Sequence, residues 1–193
     1  NFESHGGKRE SGATVVNGNV ASVRVPTPPE SSQPHPYAAL SPDLVLTAVE
    51  SLGYRADARV FALNSYENRV YQVGLEDGSS LIVKFYRPAR WSDAQIREEH
   101  AFMAELRDLE IPVGAPIVRD AETIFVYEGF RFSIFERLAG RAVNLENPDD
   151  LLSMGRFVAR IHAVGERARF EHRYELSVER LGCESRQFLL ESG

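Results

Sequence analysis

Ser80-Leu-Ile-Val-Lys84-Phe-Tyr-Arg-Pro88, followed by Ala89-Arg-Trp91-Ser92-Asp-Ala-Gln95-Ile-Arg-Glu-Glu99, is the stretch on which the fold turns. The first part reads as a strand over Leu81–Tyr86, with Leu81, Val83 and Phe85 on one face and Ile82, Lys84 and Tyr86 on the other. Lys84 is therefore a single cation on an otherwise apolar strand face. An ammonium taken out of water without a partner is costly, so an anion must meet it. The helix predicted to begin near Ser92 supplies one. Ser92 and Gln95 form a capping box, and Trp91 and Ile96 occupy the two positions of a hydrophobic staple. Ile96, Glu99, Met103 and Leu106 then share one helical face, which points Glu99 at the sheet. Glu98 lies on the neighbouring stripe with Phe102, Glu105 and Leu109 and is the second candidate.

A strand lysine held by an inward glutamate on the next helix is the arrangement that positions the α- and β-phosphates of ATP in protein kinases. The chain's 193 residues suffice for one ordinary domain with a sizeable core, and 43% hydrophobic with 26% charged residues suits a globular protein. A net charge of −6 argues against general binding to nucleic acid or to an anionic membrane. No apolar run has the length of a transmembrane helix, and the first residues lack the apolar core of a signal peptide. The one cysteine, Cys183, fits a reducing cytoplasm and is expected to be an inert, partly buried thiol.

Residues 1–36, rich in Gly, Ser and Pro, read as a disordered leader with too few apolar residues for a core. Structure is expected to begin with a helix over Ser41–Leu52, capped by Ser41, opened by Pro42 and stopped by Gly53, with Val45, Ala48, Val49 and Leu52 inward. Three strands follow in a meander, Ala58–Leu63, Arg69–Leu75 and Leu81–Tyr86. Asn64–Asn68 joins the first two, and the hairpin Glu76-Asp-Gly78-Ser79 joins the others. After the Ser92 helix and an extended Ile111–Pro116, two more strands are predicted over Thr123–Tyr127 and Phe130–Glu136, turning at Glu128-Gly129. The result is α+β: a five-stranded antiparallel sheet with one helix inserted after its third strand. Beyond the connector Glu136–Gly140, a helix over Pro148–Ala163 should bury Leu151, Met154, Val158 and Ile161. His162, near its C-terminus, is expected to pack or cap.

Four strings carry a family resemblance: Asn64-Ser-Tyr-Glu-Asn-Arg-Val-Tyr-Gln72, Val83-Lys-Phe-Tyr-Arg-Pro88, Arg90-Trp91 and Gln95-Ile-Arg-Glu-Glu-His100. With Pro112–Pro116 and Gly155–His162, they resemble the bacterial stress-response kinases of the aminoglycoside phosphotransferase-like branch of the protein-kinase superfamily. The resemblance covers about residues 37–181. It implies a kinase-like N-lobe with its helix C over 37–136, then the hinge and the first helices of a truncated C-lobe over 137–193. It also implies a cytoplasmic enzyme dependent on ATP and Mg²⁺ that phosphorylates serine and threonine in protein substrates; a monomer is expected, although the sequence does not fix the oligomeric state. Lys84 looks like the phosphate-binding lysine and Glu99 like its helix partner. Asn64, Ser65 and Asn68 look like the loop over the nucleotide, although that loop is ordinarily glycine-rich and this one has none. Glu136 and Leu138 look like the hinge, whose backbone groups take the adenine edge.

The branch carries its catalytic Asp and a metal-binding Asn in a His-Gly-Asp-x-x-x-x-Asn loop, and no such string occurs in these 193 residues. His172-Arg-Tyr174 has Tyr where a catalytic triplet needs Asp. The chain by itself is therefore expected to be inactive, with no catalytic residue and no metal ligand of its own. Two other readings stand beside a protein kinase: a small-molecule kinase acting on an aminoglycoside, choline or homoserine, and a non-catalytic nucleotide-binding module.

Overall fold

The computed structural model describes residues 35–191, and the leader expected over 1–36 lies outside them but for its last two residues. Five strands form one antiparallel sheet in the order β1-β2-β3-β5-β4. They are β1 (Ala56–Leu63), β2 (Arg69–Leu75), β3 (Ser80–Phe85), β4 (Phe125–Tyr127) and β5 (Phe130–Glu136). The helices are α1 (Pro42–Glu50), α2 (Asp93–Asp108), α3 (Pro148–Gly165) and α4 (Ser185–Glu191), the last preceded by a π-helical turn at Glu179–Glu184.

The alternation read for β3 divides the core in two. Leu81, Val83 and Phe85 join Val73, Leu75, Phe130, Phe132 and Ile134, and α1 covers them with Val45, Ala48 and Val49. On the other face Tyr86 packs with Ile96 of α2 and with Ile124, and Trp91 closes the edge, as the staple requires. Both bonds of the Ser92–Gln95 capping box are present, at 2.9 and 3.2 Å. α1 is capped as expected, Ser41 Oγ accepting from the Leu44 amide, but it ends at Glu50, two residues early. Gly53, at φ +83°, lies in the turn that follows.

Both hairpins form. Gly78 takes φ +85°, and Asp77 Oδ1 accepts from the Ser79 amide and hydroxyl. Glu128 and Gly129 both have positive φ, the conformation that matches strand twist in a two-residue turn.

Four expectations are corrected. β1 starts two residues earlier than predicted, through an irregularity between Ala56 and Val60 where Ala58 has φ +67°. β4 is only Phe125–Tyr127: the Thr123 carbonyl accepts from Ser133 Oγ at 2.6 Å instead of from a strand amide, and the Thr123 hydroxyl meets His100. Cys183 is exposed rather than partly buried. α3 forms as predicted and runs to Gly165, yet no residue of it is buried among the described residues, so its apolar stripe of Leu151, Met154 and Val158 lies open.

Candidate nucleotide site

Lys84 stands in the middle of the sheet, opposite Val70 on β2 and Ser133 on β5. Its Nζ donates to Glu99 Oε1 at 3.0 Å and lies 4.9 Å from the Tyr86 ring centre. The two side chains are 22% and 28% exposed, dry enough for the charges to matter and open enough for a ligand to reach them. Burial pushes the Glu99 carboxyl up, but the Lys84 charge and hydrogen bond, then Arg173, outweigh it and hold it below the ordinary range. Glu99 is thus an anion that fixes Lys84. An ammonium has three hydrogens, and one is used here, which leaves donors for a phosphate.

Beneath α2 the polar groups form a continuous chain. Tyr86 Oη meets His100 Nε2 at 2.8 Å, His100 Nδ1 meets Thr123 Oγ1 at 2.8 Å, and Ser133 Oγ donates to the Thr123 carbonyl at 2.6 Å. His100 is 3% exposed, and its burial pushes its pKa down to about 4, so this imidazole is neutral at pH 7. Burial also pushes the Tyr86 phenol up, which keeps it a hydroxyl.

The Asn64–Asn68 loop is held without glycine. Ser65 Oγ donates to the Asn68 carbonyl at 2.8 Å, and Asn68 Oδ1 accepts from the Arg87 amide at 3.2 Å. Glu67 is the anchor: its carboxylate accepts from Arg90 Nε at 2.9 Å and Trp91 Nε1 at 2.5 Å, and its carbonyl accepts from Tyr37 Oη at 3.0 Å. The side chains of Ser65 and Asn68 therefore shape the loop and tie it to the β3–α2 connection. Asn64 and Tyr66 are exposed.

Glu136 ends β5, paired with Leu81, three residues from Lys84's neighbour Ser133 and so roughly 10 Å along the strand. Glu136 and Leu138 line a separate cavity of 280 Å³ with Arg107 and the Val113–Val118 segment. The structure brings Lys84 and Glu99 into contact, sets the loop at the end of β3, and joins neither Glu136 nor Leu138 to the pair by a hydrogen bond. Beside Glu99 is a cavity of 520 Å³ walled by Phe102, Met103, Phe170, Arg173 and Tyr174. Among the described residues no three acidic, imidazole or thiol groups converge as a cation site.

Sequence reasoning missed Arg173 and Glu67 and gave Glu98, its second candidate for Lys84, the wrong partner. Arg173 donates to Glu99 Oε2 at 2.8 Å, Glu98 accepts from backbone amides of 171–173 rather than serving Lys84, and Glu67 anchors the loop. The adjacent Glu98-Glu99 was the one available signal, since two neighbouring carboxylates on a half-buried helix need two sets of donors.

The phosphotransferase enzyme family model, APH, matches residues 59–188. Stress response kinase A of Salmonella choleraesuis (strain SC-B67) is 39% identical over 151 residues, 78% of this chain and 46% of that protein. The Escherichia coli (strain K12) protein of the same name is 38% identical with the same coverage, as is the serine/threonine protein kinase RdoA of Salmonella typhimurium. The chain thus matches less than half the length of these relatives. In fold it is similar to the amicoumacin kinase hAmiN, solved with AMP-PNP, Ca²⁺ and Ami, at TM-score 0.60 and 22% identity over 69% of this chain and 43% of that one. A microcompartment-associated aminopropanol kinase gives TM-score 0.56 and 20% identity over 71% and 46%.

Proposed function

Because the chain belongs to the phosphotransferase enzyme family, we propose that it is the nucleotide-holding part of an ATP-dependent kinase whose acceptors are serine and threonine hydroxyls of proteins. The observation that carries the reading is the 3.0 Å contact between Lys84 and Glu99, a cation fixed in a sheet with donors to spare. Support for the protein acceptor comes from relatives at 38–39% identity that bear protein-kinase and stress-kinase names.

In-line transfer of a γ-phosphoryl group asks little covalent work of a protein and much positioning. Lys84, kept in place by Glu99, would hold the α- and β-phosphates. Asn64, Ser65 and Asn68, as the loop shaped by Glu67, would cover them with backbone amides, and the backbone at Glu136–Leu138 would take the adenine edge. Magnesium, when bound, neutralises charge on the phosphates, and its ligands would come from outside these 193 residues, as would the base that orients the hydroxyl. The 193 residues alone would not turn over. A monomer in the cytoplasm suits this reading, and no described helix is long and apolar enough to cross a membrane.

A small-molecule acceptor is the second reading. It is favoured by one observation, that the amicoumacin kinase and the aminopropanol kinase of similar fold are small-molecule kinases by their names. The first experiment is phosphorylation by the complete protein carrying Lys84→Met, with protein and small hydroxyl acceptors offered side by side. Turnover should fall about 100-fold or more, the scale of one lost preorganised charge contact. Near-parental turnover would refute the role of Lys84, and preference for the small acceptors would select the second reading.

A further inference from the structure

The Lys84 contact uses one oxygen of Glu99. The other accepts from Arg173 Nη1 at 2.8 Å, and Arg173 lies 74 residues further along the chain. The segment that carries it is anchored to α2 independently of that bond. Glu98 accepts from the backbone amides of Glu171, of His172 at 3.0 Å and of Arg173 at 2.7 Å. Gln95 Nε2 donates to the His172 carbonyl at 2.9 Å, and Phe170 meets Phe102 edge-on at 5.2 Å. The Arg173 guanidinium itself lies over the Trp91 ring at 4.3 Å.

Resting on the nucleotide reading above, we propose that Arg173 is a positioning residue for phosphoryl transfer, holding Glu99 by its second oxygen so that Glu99 stays turned to Lys84. A carboxylate on a lysine alone is held at one point by a flexible cation, and a small roll of α2 would release it. A planar guanidinium supplies a second point with a fixed direction. Arg173 is already ordered by its stacking on Trp91 and by the bond from its own amide to Glu98, so little further freedom is lost in gripping Glu99. The division of labour explains the doublet: Glu98 takes the backbone of the segment and Glu99 takes the tip of its arginine. It also gives His172-Arg-Tyr174 a use that does not need the Asp it lacks. In kinases the lysine–glutamate pair must be assembled for transfer, and the setting of its helix controls that step. Here the chain beyond the hinge reaches back to set it.

The test is ATP kinetics of the complete protein as parent, Arg173→Ala, Arg173→Lys and Lys84→Met. Arg173→Ala should lower kcat about 10- to 100-fold, the effect of a small misplacement of a catalytic contact. It should also move the acid limb of the pH profile upward, because Glu99 then keeps only Lys84 as a close cation, with Tyr86 and neutral His100 as its other neighbours. Arg173→Lys should recover much of kcat and return the limb. Parental kcat and limb in Arg173→Ala, with turnover lost in Lys84→Met, would overturn this inference alone. A loss in Arg173→Ala with an unmoved limb and no recovery in Arg173→Lys would reduce Arg173 to a structural contact and overturn it too. Parental turnover in Lys84→Met would remove the nucleotide reading, and this one with it.

Discussion

A neutral imidazole under α2 ties the stability of the fold to pH. His100 bonds at both ring nitrogens, to Tyr86 and Thr123, and burial pushes its pKa down to about 4; Glu99 opposes that shift, while Lys84 and Arg97 add to it. An unfolded histidine titrates near 6.5, so below that value the unfolded chain binds a proton that the folded chain refuses. Stability should therefore fall as pH drops from about 6.5 to about 4, by about 3 kcal/mol in all. Glu99, held low by its cations, gives stability that is present above its unfolded value and is lost only as pH falls through its lower folded value. Between pH 6.5 and 5 the imidazole thus governs. Urea unfolding of the parent and of His100→Gln across that range checks this, and equal slopes in both would sink it. One local signal for His100 was present: it stands four residues from Ile96, on the inward side of the helix. Its two partners were not, for Thr123 lay in a predicted strand.

The elements were legible where their cause is local. Ser92 and Gln95 close α2 three residues apart, Gly78 and Gly129 make turns inside four-residue windows, and the alternation of β3 assigned both of its faces correctly. What stayed hidden has a distant cause. The side of α2 that meets Arg173 depends on chain 74 residues away, and no periodicity reports it. Gly74 sits inside β2, where a Cβ would collide with the Asp57 carboxylate, a fact set by the irregular start of β1. Gln95 joins the two kinds. It accepts from the Ser92 amide and also donates to the His172 carbonyl, so it serves both the helix start and the returning segment. Ser92→Ala should cost about 1 kcal/mol, an ordinary lost cap. Gln95→Ala should cost about 2 kcal/mol, because two half-buried bonds go with it. Equal midpoint shifts for the two variants in urea would show that the bond to His172 contributes nothing.

At the scale of the whole molecule the chain is unevenly covered. The sheet hides Val73, Val83, Phe85, Phe132 and Ile134 completely, whereas α3 and α4 bury nothing among the described residues. Leu151, Met154 and Val158 follow a helical repeat and are still 39–44% exposed, and on α4 Leu189 reaches 71%. A stripe of that spacing is built to be covered, and the chain matches only 46% of the length of its curated relatives. The link from α3 to α2 is correspondingly thin. Arg160 donates to the Glu110 carbonyl at 3.1 Å, and Phe102 meets Phe170 just beyond the helix. Amides are protected from exchange by the free energy of the opening that exposes them, and little apolar area is returned to water when α3 opens. Hydrogen exchange on the 193-residue chain should therefore find α3 amides at least roughly 100-fold less protected than those of β3 and β5. Adding the rest of the complete protein should close that gap, because the same stripe would gain a partner while the sheet would gain little. Equal protection of α3 and β3 in the 193 residues alone would show that α3 is held by contacts other than burial, and the open stripe would then need another explanation.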